Sequence, residues 1–333
     1  MPVLESRFRS PLFLRNGHAQ TILPVLLQRR VRLAMTRERL ELPDGDFLDL
    51  DWARTPRLAA DAPLPPLAVL THGLEGSSSQ AYIRGLSAAL VIAGWDVLAW
   101  NFRGCSGNPN RLLRAYHSGD TGDLAAVIAR AATGGHEKVA LVGFSLGGNV
   151  VLKYLGEAPP HPAISAAATV SVPIALAACA RALDERWSNR VYLRRFLVSL
   201  AGKIEAKARL FPGQIDAAPV RRMRSFQEFD DRYTGPMHGF SDADDYWTQS
   251  SARQFLPRIT VPTLLLQPQN DPFLARDAYP FDEAQANPHF YLEAPESGGH
   301  VGFLDLQQGL APWSERRIVE FLGWHATRAN RED

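Results

Sequence analysis

The feature that most constrains the fold of this chain is an alternation of short apolar runs with helical patterns. Buried strands are indicated at Leu67–Thr71, Trp95–Trp100 and Lys138–Val142, with helical spacing between them. The alternation returns at Thr263 and ends in an amphipathic helix over Ser314–Ala329. Strands that are joined through helices pair in parallel. The pattern therefore predicts an α/β fold, with a mostly parallel sheet covered by helices on both faces.

Two segments depart from this alternation. Arg37–Leu42 and Phe47–Trp52 flank the turn Pro43–Asp46 and predict a hairpin. Later in the chain a long segment rich in Ala, Leu and Arg lacks strand signals, which predicts a helical insertion between two strands of the sheet. For 333 residues we expect one domain over 1–333, with a helical cap over 174–233.

Composition excludes several classes of function. The net charge is +1, so no overall field favours nucleic acid. Cys105 and Cys179 are far apart and form no CxxC pair, which argues against a zinc ribbon or a thioredoxin-like site and favours a reducing compartment. We find no signal-peptide pattern and no apolar run of membrane-spanning length. We therefore expect a cytoplasmic protein, for which peripheral membrane contact stays open.

The first chemical motif is Gly143-Phe-Ser145-Leu-Gly147, which has the pattern GxSxG. The motif alone is weak, but the strand Lys138–Val142 leads directly into it and the helical segment Asn149–Tyr154 follows. A tight strand–turn–helix needs small residues beside the turn. This geometry presents the serine hydroxyl at the carboxyl edge of the sheet. We predict that Ser145 is a nucleophile.

A serine nucleophile needs a base, and the base needs a group that orients it. In chains of the α/β-hydrolase fold the order is serine, acid, histidine. Asp271 follows the strand Thr263–Gln267, and His300 lies between glycines after the strand Phe290–Leu292. Both loops leave the carboxyl ends of strands and face the same edge as Ser145. We predict His300 as general base and Asp271 as the acid.

Acyl transfer also needs N–H donors for the developing oxyanion. The backbone N–H of Leu146, directly after the nucleophile, is one predicted donor. The other should come from the loop His72–Gly76, where position favours the N–H of Leu74. Gly73 lets this backbone approach the substrate. His72 could act as a second base, but a histidine at this place more often supports the loop, and we predict that role.

Asp242, Asp244 and Asp245, with His238 nearby, compete with Asp271 as the acid and suggest a metal site. A simpler interpretation is that they begin a helix that runs toward Phe255, where they cap free N–H groups and complement the helix dipole. We therefore predict neither a metal nor a cofactor.

The loop Asn101–Gly107 resembles a phosphate-binding loop only loosely. It has no GK[ST] sequence, and no GxGxxG opens the first βα unit, so nucleotide binding is not supported. Cys105 in this loop is expected near the rim of the site. A nucleophilic role for it is not expected, because no base is found in a matching position.

With these residues placed, the sequence resembles the YheT-like group of α/β hydrolases, whose eukaryotic relatives are abhydrolase-domain lipid esterases. The resemblance covers nearly the whole chain. It rests on the segments Leu14–His18, His72–Ser77, Asn101–Gly104, Gly143–Asn149, His238–Phe240, Asp242–Trp247, Asn270–Pro272 and Gly298–His300. It implies hydrolysis of short-chain, acylglycerol-like or phospholipid-like esters by Ser145, Asp271 and His300. The eukaryotic relatives carry an N-terminal membrane anchor that is not found here, so constitutive membrane residence is not expected.

The function predicted from these residues is two-step acyl transfer from a small-molecule ester or lipid to water, without a cofactor and without a nucleic-acid partner. An acyltransferase or thioesterase of the same fold stays open, because the acyl-enzyme is common to all three. A catalytically silent lipid-binding protein is a further alternative, against which the intact set of Ser145, Asp271 and His300 argues.

The predicted cap has an unusual charge. From Arg181 to Arg224 eleven Lys and Arg residues stand against four acidic residues. An apolar stripe at helical spacing lies among them, at Leu193, Leu197, Leu200 and Ile204. The simpler interpretation is that this stripe packs over the catalytic domain while the charged side chains stay solvated. A second hypothesis is that the cap is a basic amphipathic surface that contacts anionic membrane.

Overall fold

The computed structural model describes residues 2–27, 31–56 and 63–328, which are built around one sheet. Within these residues the strands are β1 (Val3–Leu4), β2 (Thr36–Glu41), β3 (Phe47–Ala53), β4 (Leu67–Thr71), β5 (Asp96–Trp100), β6 (Val139–Phe144), β7 (Ile164–Val170), β8 (Thr263–Leu266) and β9 (Phe290–Glu293). Their order is β1-β9-β8-β7-β6-β4-β5-β3-β2. Only β2–β3 and β3–β5 pair antiparallel among these neighbours. The α/β class, the mostly parallel sheet and the hairpin are confirmed.

Helices connect and cover these strands. In the described part of the chain the α-helices are α1 (Gly17–Leu27), α2 (Ala81–Ile92), α3 (Thr121–Thr133), α4 (Leu146–Glu157), α5 (Leu176–Glu185), α6 (Arg190–Leu210), α7 (Phe226–Phe229), α8 (Gly235–His238), α9 (Ala243–Ser250), α10 (Phe281–Ala286) and α11 (Trp313–Arg328). Short 3₁₀ helices lie at Leu12–Leu14, Trp187–Asn189, Val220–Arg222, Ala252–Arg258 and Arg276–Ala278, and a π-helical turn lies at Asp230–Thr234. The predicted end of the last helix, Ala329, lies outside the described residues.

The sheet is buried on both faces, which explains why its central strands are almost continuously apolar. Alternate residues of a strand point to opposite faces. In β4, Leu67 and Val69 pack in one cluster with α3 and α4, whereas Ala68 and Leu70 pack in another with α2 and α11. The loops that carry the candidate site leave the carboxyl ends of the parallel strands.

Between β7 and β8 the chain forms α5 to α9, which we call the helical insertion (residues 176–250). It has an apolar cluster of its own, in which Leu193, Leu197 and Ile204 of α6 are buried and Leu200 is partly buried. The predicted stripe therefore packs inward. The helices of the insertion continue to Ser250, and the single domain over 1–333 with cap limits at 174 and 233 stays a prediction.

The helix predicted to run toward Phe255 begins as expected but ends earlier. Asp242 caps α9, and its side chain accepts a hydrogen bond of 2.8 Å from the N–H of Asp245. After Ser250 the chain becomes extended and then 3₁₀-helical. Buried Asn149 explains the break, because its amide donates to the carbonyl of Ser250 and accepts from the N–H of Ala252. These side-chain bonds replace those of a continuing helix.

Candidate active site

The turn between β6 and α4 places Ser145 at the carboxyl edge of the sheet. Ser145 has φ 51° and ψ −123°, an unusual backbone conformation for a residue other than glycine. Its N–H donates to the carbonyl of Val170, at 2.9 Å, which holds the turn against β7. A Cβ on Gly147 would lie 2.3 Å from the carbonyl oxygen of His72, and one on Gly143 would lie 2.6 Å from that of Gly147. At either glycine of the GxSxG motif, a residue with a Cβ would therefore clash with neighbouring backbone.

Ser145, His300 and Asp271 form a continuous chain of hydrogen bonds. His300 Nε2 lies 3.0 Å from Ser145 Oγ, and His300 Nδ1 lies 2.8 Å from Asp271 Oδ2. Since a carboxylate only accepts, the ring proton lies on Nδ1, and Nε2 is free to accept from the serine hydroxyl. The second oxygen of Asp271 accepts from the N–H of Phe273, at 2.9 Å, and the Phe273 ring stacks on that of His300.

The loop that carries His300 is held by the N-terminal part of the chain, a role that the sequence analysis does not predict. The N–H of His300 donates to Thr21 Oγ1 of α1, at 2.8 Å. The next N–H, of Val301, donates to Ser171 Oγ at 3.0 Å, and that of Gly299 donates to Asn270 Oδ1 at 3.0 Å. Three consecutive backbone groups are thus fixed by side chains from three separate parts of the chain.

The predicted oxyanion donors lie beside Ser145. A Cβ on Gly73 would stand 3.2 Å from Ser145 Cβ, so the loop of Gly73 and Leu74 approaches the serine closely. Leu146 begins α4, where the first N–H groups have no acceptor inside the helix. Among the described residues, none accepts a hydrogen bond from the N–H of Leu74 or of Leu146. Both donors are therefore available to a ligand.

His72 is buried and connects two loops. The N–H of Phe102 donates to its Nε2, at 3.2 Å, so the ring proton lies on Nδ1, which donates to the carbonyl of Gly73 at 2.8 Å. Burial lowers the pKa of His72 to about 4. A neutral ring with both nitrogens engaged suits a support for the loop of Gly73 and does not suit a second general base.

Cys105 is also buried, and burial raises the pKa of its thiol. Its Sγ lies 2.9 Å from Nζ of Lys203 in the helical insertion. Its neighbours Gly104 and Gly107 line the cavity beside Ser145. Cys105 therefore lies in a loop that lines the cavity, its position near the rim stays a prediction, and a buried thiol with a raised pKa is a poor nucleophile.

A cavity of about 320 Å³ is lined in part by Ser145, Leu146 and His300. Its wall combines the sheet loops with the helical insertion and is mostly apolar. The insertion contributes Leu176, Leu183, Phe196, Leu200, Ile204, Phe226, Phe229 and Met237. A cavity with apolar walls and a few polar groups is typical of small-molecule sites.

His117 and His238 line this cavity, and the centroids of their rings lie 4.6 Å apart. Burial lowers the pKa of His117 and of His238 to about 3, so both rings are neutral near neutral pH. His238 lies in the cavity wall, whereas Asp242, Asp244 and Asp245 do not line the cavity. The four side chains that suggested a metal site in the sequence do not form one cluster in this part of the structure.

Comparison with known proteins identifies the family of this fold. A family model described as the alpha/beta hydrolase fold matches residues 66–305. The chain belongs to this family.

Individual relatives identify the group within the family to which this α/β hydrolase is similar. It is 40% identical to YheT of Escherichia coli (strain K12), whose name describes a candidate esterase, over 92% of this chain and 90% of that one. It is 30% identical to the phospholipase ABHD3 of Mus musculus, over 91% of this chain and 75% of that one. The chain is therefore a YheT-like α/β hydrolase of the esterase and lipase type.

Solved structures agree on the fold of this α/β hydrolase. The Pyrococcus furiosus esterase Pf2001 superposes with a TM-score of 0.58 at 17% identity, covering 88% of this chain and 92% of that one. In the described ranges, no helix of this α/β hydrolase is long and apolar enough to cross a bilayer.

Proposed function

We propose that this α/β hydrolase cleaves carboxylic esters by two-step acyl transfer, with Ser145 as nucleophile, His300 as general base and Asp271 as the orienting acid. The observation that carries the proposal is the hydrogen-bond chain from Ser145 Oγ through His300 to Asp271, in which Ser145 and His300 line an apolar cavity. The relatives named as a candidate esterase and a phospholipase support the same chemistry.

In the first step, Ser145 Oγ attacks the ester carbonyl while His300 Nε2 takes its proton. The carbonyl oxygen becomes an oxyanion, which the N–H groups of Leu74 and Leu146 bind. The resulting imidazolium is stabilised by Asp271 and then gives its proton to the departing alcohol. In the second step His300 activates water, which hydrolyses the acyl-enzyme. The mechanism uses no metal or cofactor.

The substrate we propose is an ester with an apolar acyl or alkyl chain. The chain would lie in the cavity against residues of the helical insertion such as Phe196, Phe226 and Phe229. We also propose that the predicted segment 174–233 acts as the cap of a single domain over 1–333, since it lies between two sheet strands and lines this cavity.

The test is a panel of p-nitrophenyl esters of increasing acyl length, with monoacylglycerols beside them. Replacement of Ser145 by Ala should lower kcat by about 10⁶ with the fold intact. Ser165→Ala is the matched control, because Ser165 lies at the opposite end of the neighbouring strand β7. Substantial hydrolysis by folded Ser145→Ala protein would end the proposal.

An acyltransferase or a thioesterase remains an alternative, since the same acyl-enzyme precedes each outcome. Adding acyl thioesters and an acceptor alcohol to the panel distinguishes these activities. We expect water to be the main acceptor and oxygen esters to be the better substrates. Faster transfer to the alcohol, or a preference for thioesters, would reassign the activity within the family.

We further propose that the outer face of the insertion contacts anionic membrane surfaces. Trp187, Val191 and Val198 are exposed there, at 81%, 76% and 52% of their surface. Arg194 and Arg195 lie on the same exposed stretch of α6. Apolar side chains interleaved with arginines are complementary to a bilayer that contains anionic lipid.

A further inference from the structure

The residue after the proposed oxyanion donor Leu74 is an acid with a buried side chain. Glu75 has φ 54°, a left-handed conformation that its surroundings must stabilise in a residue other than glycine. Its N–H donates to the hydroxyl of Tyr116, at 2.9 Å, and that hydroxyl donates to Glu75 Oε1, at 2.7 Å. The side chain of Glu75 is only 6% exposed.

Both carboxylate oxygens of Glu75 are bound by α6 of the helical insertion. Lys203 Nζ lies 2.8 Å from Oε1, and Ser199 Oγ donates to Oε2 at 2.5 Å. Residues four apart lie on one face of a helix. One turn of α6 therefore holds the residue beside Leu74 from the opposite side of the cavity.

The charges of this bridge are maintained although Glu75 is buried and Lys203 is partly buried. For Glu75, burial raises the pKa, but Lys203 and the hydrogen bonds from Ser199 and Tyr116 outweigh it and leave the pKa below its usual value. For Lys203, burial lowers the pKa, but Cys105 and Glu75 outweigh it and leave the pKa above its usual value. The ring of Tyr116 lies 4.9 Å from Lys203 Nζ and adds a cation–π contact.

We propose that Glu75, Ser199 and Lys203 form a bridge through which the helical insertion positions the oxyanion loop for catalysis. The inference rests on the proposed function, because it takes the N–H of Leu74 as an oxyanion donor. Such a donor acts only within hydrogen-bond distance of the oxyanion, and a shift of about 1 Å can cost on the order of 100-fold in rate. Lys203 and Ser199 are thus positioning residues that do not touch the reacting atoms.

The alternative is that the bridge only attaches the insertion to the sheet and contributes to folding stability. The two roles differ in what they do to the transition state. Loss of positioning lowers kcat and weakens a tetrahedral adduct on Ser145, whereas loss of attachment alone lowers the unfolding temperature. An alkylboronic acid, which forms a tetrahedral adduct with a serine nucleophile, measures the first effect directly.

The experiment compares Lys203→Met, Ser199→Ala and Glu75→Gln with the wild type. Glu205→Gln is the matched control, because Glu205 also lies on α6 but pairs with Arg221 of the 3₁₀ helix Val220–Arg222, and neither residue lines the cavity. For each variant kcat, KM, the inhibition constant of the boronic acid and the unfolding temperature are measured. Lys203→Arg tests for rescue by a conservative change.

We expect Lys203→Met and Glu75→Gln to lower kcat by about 10- to 100-fold, with KM changed by less than about threefold. The inhibition constant of the boronic acid should rise by about the factor by which kcat/KM falls. Ser199→Ala removes one hydrogen bond and no charge, so it should give a smaller effect in the same direction and should fold even if Lys203→Met does not. Lys203→Arg should recover part of kcat, and Glu205→Gln should leave kcat and the inhibition constant unchanged.

Folded bridge variants with wild-type kcat and wild-type boronic acid inhibition would overturn the inference, even if their unfolding temperature fell. A loss of kcat in the bridge variants no larger than that of Glu205→Gln would also overturn the inference. Failure of the proposed function is distinguishable, since Ser145→Ala would then retain activity. An inactive Ser145→Ala together with fully active Ser199→Ala and folded, fully active Glu75→Gln, and no change in their boronic acid inhibition, rejects only the bridge.

Discussion

The two sides of the candidate site are constructed differently. On the sheet side, Ser145 is placed by a strained backbone turn whose glycines leave no room for a Cβ. On the side of the helical insertion, Ser199 and Lys203 reach the site only through their side chains. A backbone turn sets a geometry that few substitutions can adjust, whereas side-chain contacts can be weakened one at a time. The sheet side should therefore respond to mutation in an all-or-none way and the insertion in a graded way.

On the sheet side, substitution of Asp271 tests the predicted all-or-none response of activity. In Asp271→Asn the N–H of Phe273 keeps an oxygen at the position of Oδ1, so the amide nitrogen faces His300 Nδ1. His300 would then carry its proton on Nε2 and could not accept from Ser145. We expect kcat to fall by about 10⁴. Steady-state kinetics with a circular dichroism check of folding measures this.

Asp242→Ala is the control for that experiment. Asp242 was the competing acid in the sequence, and its side chain caps α9. We expect a loss of about 1 kcal/mol of unfolding free energy with kcat unchanged. If Asp242→Ala abolished hydrolysis while Asp271→Asn kept it, the assignment of the acid would be wrong. Loss of the bridge from Glu75 to α6 should lie between these two extremes.

The smallest effect is expected at the outer face of the insertion. Co-sedimentation with vesicles should show binding to anionic and not to neutral lipid, and the binding should weaken as salt rises. Replacing Arg194 and Arg195 by Gln should reduce it, since each basic residue near an anionic surface contributes about 1 kcal/mol. Hydrolysis of a water-soluble ester should not change. Binding that is indifferent to lipid charge and salt would contradict a membrane role and leave only the packing role of α6.

The sequence predicts the sheet side of the site well because its signals are local. The pattern Gly143–Gly147 encodes the turn within five residues, and the loops of Asp271 and His300 follow recognisable strands. The N-terminal contribution is not predictable in this way. Thr21 Oγ1 accepts from the N–H of His300, and nothing near Thr21 in the sequence indicates that partner.

For a related reason, the sequence does not indicate the bridge of Glu75, Ser199 and Lys203. Lys203 is one of eleven basic residues between Arg181 and Arg224, and no local pattern separates it from the exposed ones. Its position depends on the packing of α6, which brings it to Glu75 and Cys105 of two distant loops. Such side-chain pairs are set by tertiary structure, so charge counts alone favour the simpler interpretation of a solvated basic face.

The central claim is that Ser145 is the nucleophile, and covalent labelling by a fluorophosphonate tests it most directly. The wild type should gain the mass of one phosphonyl group per chain, and peptide mapping should place it on Ser145. Ser145→Ala protein should stay unlabelled under the same conditions, while Ser165→Ala protein should label at the wild-type rate. Labelling at another residue, or no labelling of active wild-type enzyme, would contradict the account.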